Sequence, residues 1–133
     1  MDEIEFVVAD KELGIGRQTC AEPVINGTNL VDAVTALERK SVGYAGLPPD
    51  VLARNLRQPE PSFQAQVLRC ICGDDGCSWA RVTVNVRDQE VIWREVRASG
   101  GGTPKYDQLG PYRFRRDRYE HCLQALSPTP KGR

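Results

Sequence analysis

Residues 70–77 read Cys-Ile-Cys-Gly-Asp-Asp-Gly-Cys and hold three of the chain's five cysteines around a short Gly/Asp turn. The flanks, Ala-Gln-Val-Leu-Arg-Cys-Ile and Ser-Trp-Ala-Arg-Val-Thr-Val-Asn-Val, are β-rich, so the stretch predicts a hairpin. Residues two apart in a strand share a face, which puts Cys70 and Cys72 on one side. A four-residue loop sets Cys72 opposite Cys77, so the three sulfurs are expected to cluster on one face of the sheet.

Three chemistries stay open for that cluster. Zinc takes four ligands in a tetrahedron, and Cys70, Cys72 and Cys77 supply three. His121, the only histidine, is the candidate fourth ligand, with Cys122 and Cys20 as the others. The usual zinc signature of two Cys-x2-Cys pairs is absent. Reduced thiols packed as small hydrophobes are the second reading, and a Cys72–Cys77 disulfide or redox switch is the third. No cofactor is otherwise indicated. An odd cysteine count excludes complete internal pairing.

The chain has 133 residues, which fits one domain. No apolar run reaches the roughly 18–20 residues of a membrane-spanning helix, so no membrane partner is expected. The start, Met-Asp-Glu-Ile-Glu, lacks the basic-then-apolar pattern of a secretory leader, and a reducing cytoplasm is expected. The 18 basic and 18 acidic residues cancel, yet they divide unevenly. Residues 1–62 hold 6 Lys/Arg against 10 Asp/Glu, and residues 63–133 hold 12 against 8.

Strands are predicted at 4–9, from Val24 to the Asn26-Gly27 turn, at 64–71, 77–86 and 90–97, and at 112–115. Residues 10–22, with Gly14 and Gly16, and the Gly43–Pro49 segment around Tyr44 are expected to be loops. A helix capped by Thr28 or Asn29 is predicted to run to about Lys40, a second from Asp50 to Leu56 behind Pro49, and a third from about Asp117. The expected architecture is a single α+β domain over residues 1–133, with a core at 24–126 and a flexible tail at 127–133. It is an antiparallel β-meander of four to six strands with two or three helices packed on one face. Val67, Val82, Val84, Ile92 and Phe114 are expected to line its inner face, or their alternates in the reversed register.

No paired acid and base, phosphate cradle or dinucleotide fingerprint is present, so no enzyme is expected. Arg113, Arg115, Arg116 and Arg118 alternate with Tyr112, Phe114 and Tyr119. That mixture suits phosphate and base contacts, and equally a strand with aromatics inward and arginines outward. Arg94, Arg113, Arg115 and Arg116 are the candidate partner-binding residues, for an acidic protein first and a nucleic acid second.

Several segments together carry a resemblance. They are Cys70-x-Cys72-Gly73-x-x-Gly76-Cys77, Trp93, Gly110-Pro111-Tyr112-x-Phe114 with Tyr119, Ile25-Asn26-Gly27-x-x-Leu30, and Gly43-Tyr44-x-Gly46-Leu47. Across residues 24–126 the chain resembles a group of small uncharacterised bacterial proteins, and the resemblance implies no particular activity. Two functions are therefore expected: a small non-enzymatic binding protein of inhibitor, immunity or adaptor type, or a zinc- or redox-responsive module built on the cysteine hairpin, nucleic-acid-associated in one variant.

Overall fold

The computed structural model describes residues 1–38, 43–73, 78–99 and 104–126. The first element departs from the sequence reading. Ile4–Leu13 (β1) and Gly16–Ile25 (β2) form one continuous ten-residue antiparallel hairpin instead of a strand, a loop and a strand. Its turn is only Gly14-Ile15, and Gly16 completes it at φ +108°, a left-handed conformation that suits glycine. The distal half is polar on one face, where the Thr19 hydroxyl donates to Asp10 at 2.7 Å. That polarity hides the strand from a hydrophobic pattern.

Thr28–Asn29 (β3) closes a three-stranded sheet in the order β1-β2-β3. Asn29 also caps Leu30–Leu37 (α1), its side chain accepting from the Val31 N–H at 2.8 Å. Tyr44–Gly46 (β4), predicted as loop, is instead the edge of a five-stranded sheet. Tyr44 is buried there. Pro49–Leu56 (α2) buries Leu52, Ala53 and Leu56. The sheet continues through Ser62–Cys70 (β5), Trp79–Val86 (β6), Glu90–Ala98 (β7) and Tyr112–Arg115 (β8), all antiparallel and in that spatial order. A 3₁₀ turn at Pro104–Gln108 precedes β8, and Arg116–Leu126 (α3) follows it. The α+β class therefore holds, with eight strands in two sheets among the described residues where four to six in one were expected. No helix among the described residues is long and apolar enough to cross a membrane.

The two sheets meet at both ends. The Ala21 N–H donates to the Leu47 carbonyl at 2.7 Å, tying β2 to β4. At the other end Asp2 lies beside β8, its N–H donating to the Arg113 carbonyl at 2.8 Å and its carboxylate accepting the Arg113 N–H at 2.7 Å. Hydrogen bonds from Asn26 and from that Arg113 amide hold the Asp2 carboxyl below the usual range. α3 packs across β7, β8 and β1, and α2 across β2 and β5 while touching α3.

Two bulges set which side chains face inward. In β7, Glu95 sits at φ +54° and breaks the register between the Thr83–Arg94 and Arg81–Arg97 pairs. Val96 and Ala98 thereby join Val91 and Trp93 on the inner face, where strict alternation would turn them out. Val67 is the extra residue of the β5 bulge and is fully buried. The expected inner set needs one correction. Val84 pairs with Trp93 and Val91 with Phe114, so Ile92 lies on the opposite face, although it too is buried.

Trp93 anchors the core. It is fully buried, meets Phe114 and Tyr119 edge-on at 5.7 and 6.2 Å, and donates its indole N–H to the Tyr119 hydroxyl at 3.1 Å. Burial pushes the Tyr119 phenol well above its usual range. Burial, with the Glu38 carboxylate beside it, does the same to Tyr106, which donates to Glu38 as Tyr44 does. A phenol with a raised folded pKa keeps its proton where the unfolded chain loses it. Its stabilisation is complete below about pH 10 and lost as pH rises beyond that. Unfolding titrations should show stability falling above about pH 10, and Tyr119→Phe should flatten the fall.

Candidate protein-binding face

In β6 the inward Ala80, Val82 and Val84 alternate with Trp79, Arg81, Thr83 and Asn85 on the outer face. Paired residues share a face, so the register places Arg94 beside Thr83 and Arg97 beside Arg81 on that face. On β8, Arg113 stands opposite Ile92 and Arg115 opposite Glu90, both exposed, while Phe114 between them is buried. The outer face of three neighbouring strands thus presents Arg81, Arg94, Arg97, Arg113 and Arg115 against two strand carboxylates, Glu90 and the bulge residue Glu95.

These arginines are held in different ways. Arg113 reaches Glu90 at 3.1 Å, Arg115 reaches Asp117 at 3.0 Å, and Arg97 reaches Asp107 at 3.2 Å. Exposed pairs of this kind contribute only about 0–1 kcal/mol, so their arginines exchange readily onto another carboxylate. The Arg118 backbone N–H and the Arg115 guanidinium keep the Asp117 carboxyl below its usual range. The Arg81 guanidinium lies 3.9 Å from the centroid of the Trp79 ring, a cation–π stack that fixes it against the sheet. No ion pair engages Arg94 among the described residues.

Of the arginines singled out from sequence, Arg94, Arg113 and Arg115 lie on this face. Arg116 does not: it opens α3, where it pairs with Glu120 at 3.1 Å and donates to the Arg87 carbonyl at 3.0 Å. Arg81, Arg97 and Trp79 were missed. Their signal was present in the Trp-x-Arg-x-Thr alternation of β6, but the β7 bulge that brings Arg97 onto the same face leaves no mark in the sequence.

The described cysteines divide among three places. Cys70 ends β5 opposite Tyr44. Cys72 follows in a tight turn closed by the Gly73 N–H on the Cys70 carbonyl at 2.9 Å, and its own N–H points at the Cys70 Sγ at 3.5 Å. Cys77, and with it the expected Cys72–Cys77 apposition, lies outside the described residues. The β1–β2 turn rests on this site, Gly14 donating to the Ile71 carbonyl at 3.1 Å. A Cβ on Gly14 would come within 2.7 Å of the Cys72 carbonyl oxygen, so only glycine fits. Cys20 is buried on the opposite side of β5, with Ala45 and with Arg69, whose guanidinium approaches the Cys20 Sγ at 3.8 Å. Arg69 itself is buried and donates to the Gly46 carbonyl at 3.0 Å.

The chain matches no family model, no curated protein and no solved structure. The reading of the site therefore rests on its geometry.

His121 and Cys122 lie far from Cys70 and Cys72. They line a groove of about 820 Å³ with residues 1–5 and α3, at the Ile4 end of β1, whereas Cys72 sits at the Gly14 end. Ten residues of strand, about 30 Å, separate the two. Among the described residues no three His, Cys, Asp or Glu side chains gather as metal ligands. The Cys122 thiol donates to the Ile4 carbonyl at 3.4 Å, and burial with the nearby Glu5 raises its pKa, favouring the thiol over the nucleophilic thiolate.

Proposed function

We propose that this protein is a small non-enzymatic binding protein of inhibitor or immunity type, working in the cytoplasm by occupying an acidic surface on a protein partner. The observation that carries the reading is the array of five arginines on the outer face of β6, β7 and β8. An open sheet face offers a flat template, and arginine is the side chain best suited to forked recognition of carboxylates. The Trp79–Arg81 stack supplies the large, partly desolvated anchor on which such interfaces commonly depend.

The test is capture on the immobilised protein from a host lysate, comparing the native chain with an Arg94→Glu/Arg113→Glu variant. The native chain should retain a protein that elutes as salt rises, because exposed charges are screened. The variant should bind that protein about a hundredfold more weakly, since like charges across an interface cost several kcal/mol. Equal retention by the variant would remove this face. Capture abolished by nuclease would move the reading to nucleic acid.

A second reading is favoured by the Cys72 N–H directed at the Cys70 sulfur, since a backbone donor stabilises a thiolate. On it, Cys70, Cys72 and Cys77 form a zinc- or redox-responsive turn. Metal analysis with a thiol count on freshly purified protein should then give one zinc per chain, or a cysteine pair that reacts only after reduction. Five reactive thiols and no metal would remove it.

A further inference from the structure

Strand edges can be followed one by one through both sheets. The outer edge of β4 is tied to β2 through Leu47 and Ala21, and that of β8 is covered by Asp2. β2 lies between β1 and β3. Among the described residues β1 is the longest strand left unpaired along one side.

The turn fixes which backbone groups that edge presents. In a two-residue hairpin the flanking pair, Leu13 and Gly16, is hydrogen-bonded, and bonded pairs then recur at every second residue. Glu5, Val7, Ala9 and Lys11 bond inward to β2, while Ile4, Phe6, Val8, Asp10 and Glu12 turn their N–H and C=O groups outward. Independent contacts agree with this phase. Pro23, which has no N–H, stands opposite the outward residue Phe6, and the outward Ala21, opposite Val8, bonds to Leu47. The Ile4 carbonyl is taken by the Cys122 thiol, so α3 covers the start of the edge. From Phe6 to Glu12 no hydrogen bond reaches it among the described residues.

This open stretch is flanked by apolar side chains: Val7 is 44% and Val8 48% exposed, and Ala9 is also exposed. Bare, apolar strand edges recruit another strand. The segment Glu5-Phe-Val-Val-Ala-Asp-Lys11 is complementary to itself when reversed about Val8. That antiparallel register opposes Val8 to Val8 and Val7 to Ala9, and it sets Glu5 against Lys11 twice, once on each side of the axis. Hydrogen-bonded pairs then fall at Val8–Val8 and at the two Phe6–Asp10 pairs, all residues whose backbone already faces outward. Lys11, although paired with Glu22, keeps 40% of its side chain exposed for a second carboxylate.

We propose that β1 is a dimerisation edge, on which a second copy of this chain adds its own β1 in antiparallel fashion about a twofold axis through Val8. Such an isologous contact closes on itself and does not propagate. It uses a surface separate from the arginine face, so it stands or falls independently of the binding function.

Sedimentation over a wide concentration range tests it, together with hydrogen exchange read residue by residue. The native chain should pass from 14.8 kDa to twice that mass as concentration rises. The amides of Phe6, Val8 and Asp10 should gain protection with dimerisation, while those of Val7 and Ala9, already bonded to β2, should not change. Val8→Pro removes an outward N–H that β2 does not use, a placement that edge strands tolerate, and it should hold the chain monomeric. Val8→Lys places two like charges on the axis and should do the same, which decides the matter if the proline variant does not fold. A native chain monomeric at every concentration would overturn the proposal. So would a dimer that survives in a folded variant, or one whose Phe6, Val8 and Asp10 amides gain no protection.

Discussion

Lys11→Met is expected to lower the stability of the fold by about 3 kcal/mol, although Lys11 is only half-buried. Its ammonium lies 2.6 Å from the carboxylate of Glu22, which is 5% exposed on β2. That carboxylate also accepts the Gly46 N–H at 3.1 Å and the Asn29 amide at 3.0 Å, so it joins β1, β2, the α1 cap and β4. Gly46 has no room for a side chain, since a Cβ would lie 2.2 Å from the Ala21 carbonyl oxygen, and this close approach brings its N–H to the carboxylate. Removing the cation strands a negative charge between the two sheets. The double variant Lys11→Met/Glu22→Gln should cost less than the two single changes added together, because no net charge is then left buried. Denaturant midpoints at constant slope measure both effects. A single-variant loss under about 1 kcal/mol would show that the charge finds water and that the link is not electrostatic.

Trp93→Ala is expected to cost about 3–5 kcal/mol. The indole fills the centre of the β7–β8–α3 layer, and its loss also strands the Tyr119 hydroxyl in a site that excludes water. Trp93→Phe keeps most of the edge-on packing but not the donor, so it should lose less, about 1–3 kcal/mol, mainly through that hydroxyl. Equal losses for the two variants would mean that the hydrogen bond, and not the ring volume, decides stability there.

Much of this framework was legible in the residues. Trp79–Val86 alternates cleanly, the Asn29 cap precedes a helical stripe, and Tyr112–Arg115 alternates aromatic with arginine, so β6, the start of α1 and β8 fall where the pattern puts them, whereas α1 ends at Leu37 with Glu38 extended and not at about Lys40. The failures have physical causes. Residues 10–19 pair as strands through backbone bonds with little apolar burial, so periodicity has nothing to register. Ile92 was placed inward because both faces of β7 are apolar at Val91, Ile92 and Trp93, so the pattern alone does not choose the inner one. β4 is three residues long and exists because Gly46 lets β2 approach, a tertiary event. The candidate face was half legible. Arg81, Arg94, Arg113 and Arg115 follow from alternation, but Arg97 joins them only through the left-handed Glu95. Residue type also misled: His121, the only histidine, and its neighbour Cys122 were natural candidates to complete a sulfur site, and the length of β1 holds them at its far end.

The claim that the arginine face is the binding surface is tested most directly by arginine-selective labelling, read by mass spectrometry with and without the captured partner. Arg81, Arg94 and Arg113 should lose reactivity in the complex, while Arg17 and Arg54, both exposed outside this face, should keep it. Unchanged labelling of Arg81, Arg94 and Arg113 in a complex that protects Arg17 or Arg54 would contradict the account.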